Sequence, residues 1–109
     1  MKLLTKAIEK KLLANWAAAQ AGDENQVPVV KFFNPCGAAT WLITEMAPDG
    51  VMFGLCDLGH GCPELGYVAK WDLEAIRLPF GLKIERDLHW EGEKPIQEYA
   101  DDARAKGHI

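Results

Sequence analysis

Residues 53–90 read FGLCDLGHGCPELGYVAKWDLEAIRLPFGLKIERDLHW, and they decide the fold. Val51–Leu58 and Glu64–Ala69 are strand-like runs joined by a glycine-rich loop, Gly59-His60-Gly61-Cys62-Pro63. Glycine and proline at such density punctuate strands rather than continue them. Asp72 is placed to cap a short helix that reaches about Arg77. Pro79 and Gly81 then turn the chain into Lys83–Trp90, where apolar and charged residues alternate. The period of two puts Ile84, Leu88 and Trp90 on one face of that strand, with Arg86 among them. Lys83, Glu85, Asp87 and His89 take the other face.

Upstream, Ala47-Pro48-Asp49-Gly50 is turn chemistry, and it predicts a hairpin between Thr40–Met46 and Val51–Leu58. In Thr40–Met46 the alternation puts Trp41, Ile43 and Glu45 on one face and Leu42 and Thr44 on the other. Val27 to Phe33 is a β-branched and aromatic run, with Pro28 near its start, where a missing N–H matters least. Before it, Thr5 is an N-cap for a helix from Lys6 to Gln20 with an apolar stripe of Ile8, Leu12, Trp16 and Ala19. Gly22 stops that helix. At the other end, Pro95 opens a last helix that Gly107 ends near Lys106. Ile96, Tyr99, Ala100 and Ala103 form its stripe.

The order is helix, four strands, short helix, strand, helix. Short connections favour antiparallel neighbours. The fold class is therefore α+β: one mostly antiparallel five-stranded sheet packed by an N-terminal helix, a short middle helix and a C-terminal helix. The 109 residues make a single domain, 1–109, with one core and no need of staples.

Composition narrows the functional classes. A formal net charge of −4 argues against general nucleic-acid binding, which needs a basic stripe to exchange with phosphate counterions. Lys6, Lys10 and Lys11 read as a solvated helix face. No run approaches the ~18 apolar residues of a membrane span. The opening MKLLTKAIEKKLL is interrupted by charge too early for a signal peptide. The expectation is a cytoplasmic protein whose three cysteines are reduced.

The candidate sites divide into three. Cys56, His60 and Cys62, with Cys36 as a fourth, could hold zinc in a tetrahedron of thiolate and imidazole. They lack paired Cys-x-x-Cys spacing, so ordinary cysteines are the expectation, and neither a metal nor any other cofactor is expected. A cysteine nucleophile with His60 or His89 as base lacks a third orienting group.

Arg86 is the best-motivated site. A guanidinium on an apolar strand face demands pairing. Glu45 shares the inner face by the same count, and Asp57 and Glu64 border the glycine-rich loop. One reading is a structural pair of Arg86 with Glu45 or Glu64. The other is a polar pocket lined by all three. Finally, Tyr67, Trp71, Phe80 and Trp90 read as core or rim, but exposed together they would mark a partner surface.

The pieces MKLLTK, KFFNP, TWLITE, FGL, PELGYV, DLEAIR, GLKIERDL and Trp90 resemble the domain-of-unknown-function family DUF2958. Its members are small bacterial proteins often found on plasmids, phages and integrated elements. The resemblance runs from Met1 to about Trp90, and the tail from Glu91 to Ile109 matches poorly. It covers Phe32, Trp41, Glu45, Gly54, Leu55, Glu64, Leu65, Gly66, Tyr67, Leu73, Glu74, Glu85, Arg86 and Asp87. It implies that Cys36, Cys56 and Cys62 are not part of the family pattern. It carries over no catalytic residue, because the family has no settled activity. The combined expectation is a small non-enzymatic binding or accessory protein with a protein partner, possessing Arg86, Glu45, Glu64, Tyr67 and Asp57 as binding candidates and serving a mobile element. The alternative is a small ligand-binding domain or enzyme built on Arg86, Glu45 and Glu64.

Overall fold

A computed structural model describes residues 2–109. Three helices form: α1 (Lys6–Gln20), α2 (Lys70–Ala75) and α3 (Ile96–Lys106). The strands are β1 (Val30–Phe33), β2 (Thr40–Met46), β3 (Val51–Asp57), β4 (Glu64–Ala69) and β5 (Glu85–Arg86). They make one sheet in the order β4-β3-β2-β1-β5, and every neighbouring pair is antiparallel. The α+β architecture read from the strand pattern is the architecture found.

Local signals act where they were placed. Thr5 Oγ1 accepts the Ile8 N–H at 3.1 Å, which satisfies one of the free donors at the start of α1. Gly22 sits at φ +101°, and its N–H returns to Ala19 O at 3.0 Å, which closes the helix. The β2–β3 turn closes through Gly50 N–H to Ala47 O at 2.9 Å, with Asp49 Oδ1 accepting from Val51 N–H. Gly107, at φ +84°, ends α3 with its N–H on Ala103 O.

Two helices pack on one face and the third on the other. On the first face Leu12 of α1 and Leu73 of α2 join Val30, Phe32, Trp41, Ile43, Met46 and Met52. On the second, Ile96, Ala100 and Ala103 of α3 join Leu42 and Leu55. Burying each such leucine or phenylalanine contributes about 1.5–3 kcal/mol.

The structure corrects four expectations. The run Lys83–Trp90 pairs with β1 only over Glu85–Arg86. Asp87 Oδ1 captures the His89 N–H at 3.0 Å, and that local bond competes with the ladder and turns the chain. Leu88 is consequently 62% exposed, and Trp90 packs with the α3 cluster instead of beside Ile84. In α2 the cap is Ala69, with Asp72 inside the first turn, because β4 runs into the helix without a loop. Phe80, read as core or rim, is 97% exposed at φ +62° in the Pro79–Gly81 turn.

The fourth correction concerns β2. Ile43 lies opposite Gly54, but Glu45 lies opposite Phe53. Two residues of β2 thus advance against one of β3, which is a β-bulge at Thr44 and Glu45. The extra residue inverts the alternation. Met46 returns to the Trp41 and Ile43 face, and Glu45 goes to the α3 side with Phe53. The period-two count that put Glu45 with Trp41 is off by one from this point on.

Candidate functional site

α3 covers the part of its sheet face around Leu42 and Leu55 and leaves the neighbouring part open. There Glu45, Phe53 and Tyr67 stand in one cross-strand row over β2, β3 and β4. Phe53 and Tyr67 pack with ring centroids 5.1 Å apart and planes at 56°, a tilted aromatic pair. Tyr67 is nevertheless 75% exposed. Beside the row lies a cavity of about 400 Å³, closed by the end of α1, by residues 23–26 and by the start of α3.

The walls are tied by hydrogen bonds to main-chain atoms. Asn15 Nδ2 donates to Thr44 O at 2.9 Å, which holds α1 against the bulge. Thr44 Oγ1 donates to Phe53 O at 3.2 Å. Gln26 Nε2 donates to Asn15 O at 2.9 Å and to Asp23 O at 3.0 Å. Asn25, at φ +57°, accepts the Gln97 N–H on Oδ1 at 2.9 Å, while Ile96 N–H donates to Gln26 O. These bonds occupy the first N–H groups of α3, so its positive end is already satisfied by the linker.

The lining is acidic. Asp23, Glu24 and Glu45 carry carboxylates, and among the described residues no Lys, Arg or His lines the cavity. Partial burial pushes the Glu45 carboxyl above its ordinary range. Gln26 Oε1, also in this wall, is buried and without a hydrogen-bond partner among the described residues. Because both protons of its amide point at carbonyls, that oxygen adds to the negative character of the wall.

The open face meets an open edge. β4 is the outermost strand on this side. Lys70 N–H donates to Gly50 O at 2.9 Å, which sets the phase of the β3–β4 ladder. In an antiparallel ladder hydrogen-bonded and non-bonded pairs alternate. With Val51 opposite Ala69, the pairs Met52–Val68 and Gly54–Gly66 face each other, and Leu65 and Tyr67 turn their N–H and C=O outward. No hydrogen bond among the described residues occupies those groups.

The other predicted site residues do not converge here. Arg86 keeps the predicted face, since it pairs with Phe32. Its partners are carbonyls rather than carboxylates: Nη1 donates to Lys2 O at 2.7 Å and to Leu3 O at 2.8 Å. Among the described residues it forms no ion pair. It fastens the N-terminal segment to the sheet edge.

Glu64 lies at the start of β4, in a shallow depression with Cys62 and Arg104. Asp57 is 2% exposed and accepts from Gly59 N–H at 2.8 Å and Ile109 N–H at 3.0 Å. It anchors the glycine-rich loop and the C-terminus and is not open to a partner. A shared Arg86, Glu45 and Glu64 pocket is therefore not formed.

Cys36 and Cys62 are exposed. Cys56 is half-buried on the α1 side, where desolvation pushes its thiol up to about 11. Among the described residues, no three of His, Cys, Asp and Glu gather as metal ligands, so Cys36, Cys56, His60 and Cys62 do not form a metal centre between them. No helix among those residues is long and apolar enough to cross a membrane.

Sequence reading missed Phe53, Asp23, Glu24 and Gln26. The run Asp23-Glu24-Asn25-Gln26 read as a polar linker, and four consecutive side-chain acceptors were its only signal.

Residues 3–109 match the family described as protein of unknown function (DUF2958), and the chain belongs to that family. The match takes in the tail from Glu91 onward, which had read as poorly matching. No curated protein and no solved structure matches the chain.

Proposed function

We propose that this DUF2958 family member is a small non-enzymatic binding protein that acts on another protein, docking it on the open part of the α3-side sheet face and along β4. One observation carries the reading: Tyr67 is 75% exposed while packed on Phe53, on an edge strand whose outward backbone groups make no hydrogen bond among the described residues. An undefended edge is a liability in a protein with no partner, and the exposed Tyr67 ring beside it is the kind of residue that interfaces favour. Edge strands are commonly blunted by Lys, Pro or a bulge, and Glu64–Ala69 carries none of these. Against an acid–base enzyme stands the separation of Arg86, Glu45 and Glu64 into three places.

We further place the protein in the cytoplasm, in the service of a mobile genetic element. Three free cysteines, two of them exposed, suit a reducing compartment. The mobile-element part rests on family membership alone.

The test is affinity capture from the native host with the parent protein and with Tyr67→Ala. At least one protein should be retained by the parent and lost by the variant, with both baits fully folded at the capture temperature. Identical captured sets would sink the proposal.

A further inference from the structure

The partner reading leaves the chemistry of the partner open, and the geometry around Glu45 narrows it. Resting on that reading, we infer that the partner is bound as an extended peptide added as a sixth strand along β4, with a Lys or Arg side chain of that peptide laid over the Tyr67 ring toward the acidic cavity that Glu45 lines.

Three independent features select this occupant. The outward N–H and C=O groups of Leu65 and Tyr67 suit an added strand, which supplies main-chain hydrogen bonds without regard to sequence. Such binding needs a side-chain pocket for specificity, and the cavity lies on the same face as Tyr67.

The second feature is charge. The cavity is lined by Asp23, Glu24 and Glu45 without a cation, and the whole chain carries −4. Glu45 has neither an ion pair nor a hydrogen bond among the described residues. A cationic side chain would neutralise it where solvent is already partly excluded, and there the attraction is stronger than in bulk water.

The third feature is distance. A residue opposite Tyr67 on an added strand lies three strands from Glu45, about 14 Å at ~4.8 Å per strand. Short side chains cannot close that span. A long cationic side chain covers about half of it, which lays its charge over the Tyr67 ring, where a cation is favoured by the ring face, on the approach to the acidic cavity. A neutral side chain would gain from the rings but not from the carboxylates, and an acidic one would be repelled by them.

A phage-displayed library of random peptides, selected on the full chain and in parallel on Glu45→Gln, tests this. The parent should enrich peptides with one fixed Lys or Arg inside a β-branched run. A synthetic peptide from that set should bind Glu45→Gln about tenfold or more weakly, and it should shift the Leu65 and Tyr67 amide resonances of the parent. Enriched peptides without a fixed basic position, or equal binding to both proteins, would overturn the inference.

A third arm uses Nα-acetyl-arginine amide alone. If it binds as tightly as the peptide and leaves the Leu65 and Tyr67 amides unmoved, the cavity holds a small cation and the strand-addition inference is wrong. No enrichment on the parent also overturns it. The Tyr67-dependent capture from the host is scored separately, so the broader partner reading can stand while this one falls.

Discussion

On the α1 side of the sheet, Phe32, Ile43 and Met52 have no open neighbour: helices α1 and α2 and the N-terminal segment close over them. On the α3 side, Leu42 and Leu55 are equally closed, but Phe53 and Tyr67, the next row along the same strands, are not. The two faces use similar residues. What differs is the reach of the covering element. α1 packs along β2, whereas α3 touches the sheet through Ile96, Ala100 and Ala103 over a smaller area. Stability is thus concentrated on one face, and the other retains apolar surface that the fold does not consume.

That contrast breaks most readily at Phe32. Phe32→Ala should cost about 3–5 kcal/mol, because the ring is fully buried and its neighbours cannot collapse into the space. Tyr67→Ala should cost no more than about 1.5 kcal/mol, the worth of its tilted pair with Phe53. Equal losses in denaturant midpoint would mean that the open row is core. Leu55→Ala sharpens the boundary within the α3 face. It should cost about 2–5 kcal/mol, and a loss below 1 kcal/mol would mean that α3 is only loosely docked.

Arg86→Ala comes next, at roughly 1–3 kcal/mol, since two charged-donor hydrogen bonds to Lys2 O and Leu3 O vanish. Lys83→Ala, on an exposed side chain, should be neutral by the same denaturant measurement. Faster proteolysis of the first residues in Arg86→Ala would locate the damage at the N-terminal segment, and an unchanged digestion pattern would contradict that fastening role.

The smallest effect is at Glu45, and it depends on pH. Burial raises the folded-state pKa of this carboxyl above its unfolded value of 4.5. The native state therefore holds the proton more tightly. Its contribution to stability is fully present below pH 4.5 and is lost as pH rises through the higher folded value. Glu45→Gln should accordingly be slightly more stable than the parent at pH 7, with the gap closing toward pH 4. A gap that widens on acidification would show Glu45 to be stabilised by an unseen cation.

Much of this molecule could be read from its residues. Thr5, Gly22, Ala47–Gly50 and Gly107 set their boundaries by local chemistry, which needs no knowledge of the rest of the chain. The five strand positions followed from alternation. The site was less legible because it depends on two non-local facts. The bulge leaves no Gly or Pro in TWLITEM to mark it; the only hint was Glu45, charged at a position that strict alternation assigns to the apolar Trp41 and Ile43 face. Arg86 was placed on the correct face but given the wrong partners, since carbonyls more than 80 residues away in sequence cannot be inferred from a strand pattern.

The bulge also changes how the site can be gained or lost in descent. Replacing Thr44 or Glu45 alters the chemistry of the cavity and leaves its geometry intact. The extra residue is a spare: losing the codon for Thr44 would restore regular pairing with β3 and still leave Glu45 opposite Phe53, whereas losing the codon for Glu45 would put Thr44 there and remove the carboxylate. The row is thus kept by the pairing with Phe53 at either strand length, and what descent can remove from it is the carboxylate. Within this family, members that keep the site should be recognisable by an acidic residue two positions before the turn at residues 47–50, whatever the length of the strand that leads to it.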